Sequence, residues 1–215
     1  LAEARSDHSA TLLSDGRVLV VGGEKGPFEM HTSAEIWDPA TGAFESTGSM
    51  AEGRKWHAAT HLTDGRVLVV GGSGNPHGYG DNLLNSAENW DPASGEFEST
   101  GSMADSRIHH TATLLTDGRV LAVAGVVLSI APLASAELWD PTTGKWTQTG
   151  SLKRARAQHT ATLLEDVRVL VIGGAGMTKK AIKTFTKAEI WDPAIGAFSH
   201  AAHLGTSRSG HSATR

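Results

Sequence analysis

The nonapeptide DGRVLVVGG at residues 15–23 returns letter for letter at 64–72, and twice more with changes, as DGRVLAVAG at 117–125 and DVRVLVIGG at 166–174. A chain that repeats itself at a fixed spacing folds as copies of one supersecondary unit, which limits its architecture more than any local motif does. The histidine of HSATLL sets the register: His8, His57, His110, His159 and His211 follow one another at intervals of 49, 53, 49 and 52 residues. An arginine stands three residues before each of them (Arg5, Arg54, Arg107, Arg156, Arg208), and an acid seven after the first four (Asp15, Asp64, Asp117, Asp166). Every unit then carries an Ala-Glu pair and Trp-Asp-Pro, at Trp37, Trp90, Trp139 and Trp191.

Within a unit, four short apolar runs separated by turn signals read as four strands: HSATLL, RVLVVGG, AEIWDP and AFESTG. The second run is apolar throughout, as in a strand covered on both faces, and the first is rich in small residues, as in a strand crowded near an axis. Asp-Gly after the first strand predicts a type I′ hairpin, and DPATG after the third puts proline and glycine where a tight turn wants φ near −65° and φ positive. Val167 replaces the glycine of Gly16, Gly65 and Gly118. Holding it at positive φ would cost on the order of 1–2 kcal/mol, so residues 163–168 are expected to leave the common turn geometry. Four antiparallel strands in sequence make a twisted sheet that buries both faces only against copies of itself, which predicts an all-β fold of β-propeller blades.

These residues resemble the kelch-repeat propellers, in particular the bacterial kind with repeats of the form RxxHxATLLxDGRVLVVGG…AEIWDPxTGxF. The parts that match jointly are the glycine pairs (Gly22–Gly23, Gly71–Gly72, Gly173–Gly174), the tryptophans of Trp-Asp-Pro, and a second aromatic at Phe44, Phe97, Trp146 and Phe198; the third unit departs with Ala124–Gly125. The resemblance covers essentially the whole chain and implies blades at about 5–49, 54–102, 107–151 and 156–204, with 205–215 beginning a further one. Kelch propellers usually have six or seven blades. Residues 1–12 also align without gaps on 204–215, so the chain is expected to be a segment of a larger ring, completed by further sequence or by self-association. A secreted or cell-surface location is a weak implication of the resemblance.

What every copy shares is scaffold, so function is sought where the copies differ. The segments between the second glycine and the Ala-Glu pair hold 10, 14, 10 and 13 residues, and outside them each full period keeps the same 39. They are EKGPFEMHTS (24–33), SGNPHGYGDNLLNS (73–86), VVLSIAPLAS (126–135) and AGMTKKAIKTFTK (175–187). In a meander these loops share one end with the links between blades, while the Asp-Gly and Asp-Pro-x-x-Gly turns share the other, and loops on a rigid scaffold commonly carry function. Just before the repeating histidine the letters are Asp7, Trp56, His109, Gln158 and Gly210. Trp56, Tyr79, His77 and His109 are therefore the candidate contacts, since aromatic faces with polar edges suit sugar rings or a peptide chain.

In some kelch relatives arginines placed like Arg54 and Arg107 contact anionic ligands, and both join the candidate site on that ground. Their recurrence beside Glu35, Glu88, Glu137 and Glu189 favours ion pairs or carbonyl contacts that lock blade to blade. The histidines show no ligand spacing within a loop, and equivalent positions diverge around an axis, so a structural role is expected, with no metal and no cofactor.

Composition trims the remaining classes. The net charge of −4 gives no basic field for nucleic acid, and no apolar run reaches the roughly 20 residues needed to insert in a membrane. With no cysteine and a single tyrosine the chain lacks the cross-linked pair that a galactose-oxidase-like copper-radical site requires. The reading reached is a non-catalytic module binding a carbohydrate or a protein segment on the variable-loop end. The alternative is a carbohydrate-active kelch enzyme, epimerase- or lyase-like, in which Glu29, Asp81, His77 and His109 would be the available acids and bases.

Overall fold

The computed structural model describes residues 1–26, 29–74, 82–127, 131–177 and 181–214. Among them there is no helix, and the strands form four-stranded antiparallel blades of the propeller type. The chain divides into two compact units, Leu1–Ser106 and Arg107–Arg215.

The first unit holds two meanders. One runs β1 (Ser9–Leu12), β2 (Val18–Val21), β3 (Ser33–Trp37), β4 (Phe44–Ser49); the other runs β5 (Ala58–His61), β6 (Val67–Val70), β7 (Ala87–Trp90), β8 (Phe97–Thr100). Leu19 and Val21 of β2 pack with Val67 and Val69 of β6, together with Leu13, Ala34, Met50 and Trp90, so one apolar layer joins the two sheets. Each large side chain buried in this way contributes roughly 1.5–3 kcal/mol. All four residues of β6 are buried, which is why its run is apolar without alternation.

The second unit repeats the plan with β9 (Thr111–Leu114), β10 (Val120–Val123), β13 (Ala136–Trp139) and β14 (Trp146–Thr149), then β15 (Thr160–Leu163), β16 (Val169–Ile172), β19 (Lys187–Asp192) and β20 (Ala197–His203). Its variable loops add two hairpins that the sequence pattern did not announce, β11 (Val126–Val127) with β12 (Ala131–Pro132) and β17 (Ala175–Met177) with β18 (Ile182–Thr184).

Two expectations about the turns are corrected. Leu13 N donates to Arg17 O at 2.8 Å and Gly16 N to Leu13 O at 3.1 Å, while Asp15 does not take positive φ. This is a three-residue loop, a type I turn closed by a left-handed residue, and not a two-residue type I′ turn. The fourth copy keeps the same bonds (Leu164 N to Arg168 O, 2.8 Å; Val167 N to Leu164 O, 3.2 Å), with Val167 at φ 67°. The turn does not change type. The Asp166 carboxylate accepts from Arg168 N and Nε at 3.3 and 2.9 Å and helps hold the loop against the strain of its valine. The Asp-Pro-x-x-Gly turns follow expectation, with Gly42, Gly95, Gly144 and Gly196 at φ 60–76°.

Within each unit the repeated residues tie a sheet to itself and to its neighbour. Arg54 donates to Gly71 O (3.0 Å), Ser86 O (3.1 Å) and Glu88 Oε1 (2.8 Å), all within its own blade. Arg5 with Glu35, Arg107 with Glu137 and Arg156 with Glu189 do the same. The ion pair therefore braces one blade and does not lock two, a correction to the sequence reading. Locking falls to the backbone and the histidines. Gly23 N donates to Arg54 O of the following blade at 2.9 Å, and Gly125 N to Arg156 O likewise. A Cβ on Gly22 would lie 2.5 Å from that Arg54 oxygen, so a side chain there needs the next copy's main chain to shift, and only the third copy carries one, Ala124 at φ 58°. His57 Nε2 meets Ser9 Oγ at 2.8 Å and His159 Nε2 meets Thr111 Oγ1 at 2.9 Å, each joining neighbouring inner strands.

Candidate functional site

In every blade the chain reaches its first strand through one left-handed residue: Asp7 (φ 55°), Trp56 (55°), His109 (53°), Gln158 (53°) and Gly210 (61°). These are the positions whose letters differ from copy to copy. A left-handed non-glycine residue costs on the order of 1 kcal/mol or more, and such strain clusters at functional sites. Main-chain bonds hold the geometry: Trp56 N donates to Asp7 O (3.2 Å) in the first unit, and in the second Gln158 N donates to His109 O (3.1 Å) and Gly210 N to Gln158 O (2.9 Å). Gly210 shows that the station accepts a residue without strain, yet four blades place a side chain there.

In the first unit the station is the most chemically dressed. Lys55, just before Trp56, is 4% exposed and pairs with Glu24 Oε2. Its Nζ also sits 4.3 Å from the centre of the partly exposed Trp56 ring. Both partners arrive by backbone pairing: Ser6 bridges Glu24 and Lys55 bridges Ser73 just beyond the glycine pairs. The corresponding positions in the second unit are apolar, Ile108 (fully buried) and Ala157 (6% exposed). Lys55 and Glu24 were not candidates from sequence; comparing Ser6, Lys55, Ile108 and Ala157 as one column would have singled out the lysine.

The other predicted site residues divide sharply. Arg54 and Arg107 are both fully buried, their guanidinium groups bound to carbonyls and glutamates of their own blades. Neither guanidinium is exposed to solvent. His109 is partly exposed at its left-handed station. His77, Tyr79 and Asp81 lie outside the described residues.

Burial sets the charge of two of the repeating histidines. Burial, reinforced by the charge of Arg54, lowers His57 to about 3; burial, reinforced by Arg156, does the same for His159. Both stay neutral at physiological pH and act as hydrogen-bonding spacers. No group of three or more metal-ligating side chains occurs among the described residues.

No protein-family profile matches the chain, and no curated protein does. Many solved structures share its fold. One of them, described as "Structure of YjhT", superposes with a TM-score of 0.81 at 15% identity, over 95% of this chain and 72% of that one. At that identity the likeness concerns the fold.

Proposed function

We propose that this chain is a non-catalytic binding module of the kelch-repeat type, which takes a carbohydrate or a protein segment at the loop end of its blades. The observation that carries the reading is the strained lead-in station, where Asp7, Trp56, His109 and Gln158 occupy a conformation that glycine would hold more cheaply. Trp56 is the anchor. Lys55 lies on its ring, and the remaining aromatic surface suits a sugar ring or an apolar side chain, with area gained at small entropic cost. The loop tip at His77 and Tyr79 belongs to the same blade and is proposed to add contacts.

An enzymatic reading has one observation in its favour, the buried Lys55–Glu24 pair beside that aromatic, which is the kind of environment that tunes an acid or base. One experiment separates the two. A glycan array and a peptide library are screened with the wild type, and each hit is titrated calorimetrically against wild type and Trp56→Ala, with products followed by mass spectrometry. Saturable binding without turnover, weakened in Trp56→Ala, supports the module. Turnover lost in Lys55→Met supports the enzyme, and hits indifferent to Trp56 remove the proposed site.

A further inference from the structure

Among the differences between the outer strands is one at a pair of positions three residues apart. The first three blades place Ser46 and Ser49, Ser99 and Ser102, and Gln148 and Ser151 there; the fourth places His200 and His203. Residues i and i+3 of a regular strand point to opposite faces. In β20 they do not, because a bulge intervenes: His200 pairs with Glu189 and His203 with Lys187, three steps on one strand against two on the other. The first blade has the same bulge, Ser46 opposite Glu35 and Ser49 opposite Ser33. The backbone device is thus independent of the histidines, and only the fourth blade fills it with imidazoles.

Both rings are exposed, their Nε2 atoms are 3.1 Å apart, and their centroids are 4.9 Å apart at a tilt of 52°. Two imidazole nitrogens each about 2.05 Å from a shared ion, with about 98° between them, stand about 3.1 Å apart. Ring geometry then puts the centroids about 4.8 Å apart for that bond length. A straight N–H···N hydrogen bond of the same length would set them about 5.4 Å apart. The observed 4.9 Å shows that the two nitrogen axes are not collinear but converge, as in a bent hydrogen bond between the rings, and a shared ion would take up the same convergence.

We propose that His200 and His203 form a two-imidazole chelate for a late first-row divalent ion, copper(II) most tightly. Neutral imidazole selects such ions over magnesium or calcium, which want carboxylate and carbonyl oxygen. An angle near 98° lies between the square-planar and tetrahedral values, so both copper(II) and zinc are accommodated, and affinity order favours copper. Two positions on the protein leave the rest of the coordination sphere to water or to a donor on another molecule.

The test is a calorimetric titration with copper(II) alone, backed by electron paramagnetic resonance, on wild type, His200→Ala, His203→Ala and a Ser46→His/Ser49→His variant. The expected result is one saturable equivalent in the wild type with two nitrogen ligands in its spectrum. Each alanine variant should weaken it at least tenfold with unchanged circular dichroism, and the double substitution in the first blade should add a second equivalent. Binding equally tight in both alanine variants, or no saturable equivalent at all, overturns the proposal.

Discussion

Arg54 and Trp56 stand two residues apart and obey opposite rules. Arg54 is fully buried, and the same letter recurs in each copy because its guanidinium must meet two carbonyls and a glutamate at fixed places. Trp56 sits at a station fixed by a main-chain bond, from its N to Asp7 O, and that bond does not depend on the side chain, whose identity differs in each copy. Side-chain bonding makes a position invariant; backbone bonding leaves it open to function. A repeat protein can thus set its two kinds of residue almost side by side.

The comparison breaks most visibly at the arginine. Arg54→Ala should cost about 3–5 kcal/mol in urea unfolding, because it leaves Glu88 buried without its cation. A loss below about 1 kcal/mol would show that the grip is dispensable and that recurrence does not mark scaffold.

Acid probes the same scaffold. His159 and His57 are held neutral in the fold with values lowered to about 3, whereas unfolded histidine titrates near 6.5. Below 6.5 the unfolded chain takes up protons that the folded one refuses. Stability is therefore full above pH 6.5 and falls as pH drops toward 3, by about 2 kcal/mol per histidine at pH 5. Denaturant midpoints measured from pH 8 to pH 4 should show this slope, and His159→Gln should flatten it.

On the open side of the comparison, Trp56→Ala should leave the unfolding midpoint near that of the wild type while weakening the true ligand by at least about 1 kcal/mol, roughly fivefold in Kd. A smaller effect is expected at the turn end. Val167→Gly removes a β-branched residue from φ 67° and should stabilise by up to about 1 kcal/mol, after the greater freedom of glycine in the unfolded chain is subtracted. Smallest of all, Thr41→Ala and Thr143→Ala remove hydroxyls that accept only from Ala43 N and Lys145 N in exposed turns. They should leave binding unchanged and stability within about 0.5 kcal/mol. Loss of binding there, with Trp56→Ala silent, would move the working end to the turns.

How much of this was legible in the sequence depends on the range of the interaction. The strands and the Asp-Pro-x-x-Gly turns are short-range features, written four times, and their positions were readable. The Asp-Gly dipeptide misled because it serves both two- and three-residue hairpins, and only the Leu13–Arg17 bond distinguishes them. The Arg–Glu pairs were visible as a correlation, but whether they act within or between blades is a matter of tertiary register. The left-handed lead-in could not be read from Asp, Trp, His and Gln; Gly210 was its single local sign. Lys55 and Glu24 meet across 31 residues, a contact with no local signature. At 200–203 the sequence shows HAAH where its sister copies read STGS (46–49), STGS (99–102) and QTGS (148–151), and the bulge that aligns the two rings belongs to the backbone alone.

The first glycine of the pair, present in three of the four blades, carries a consequence for reading mutations. A side chain at Gly173 would strike Arg208 O at 2.7 Å and the His211 ring at 2.8 Å, residues 35 and more positions further on. Damage from such a substitution would therefore surface in the following copy, as lost hydrogen-exchange protection around 208–211, while the altered strand itself stays paired. In a map of harmful variants the lesion and its injury would carry addresses a blade apart, and a residue's importance would have to be sought in its neighbour's fold.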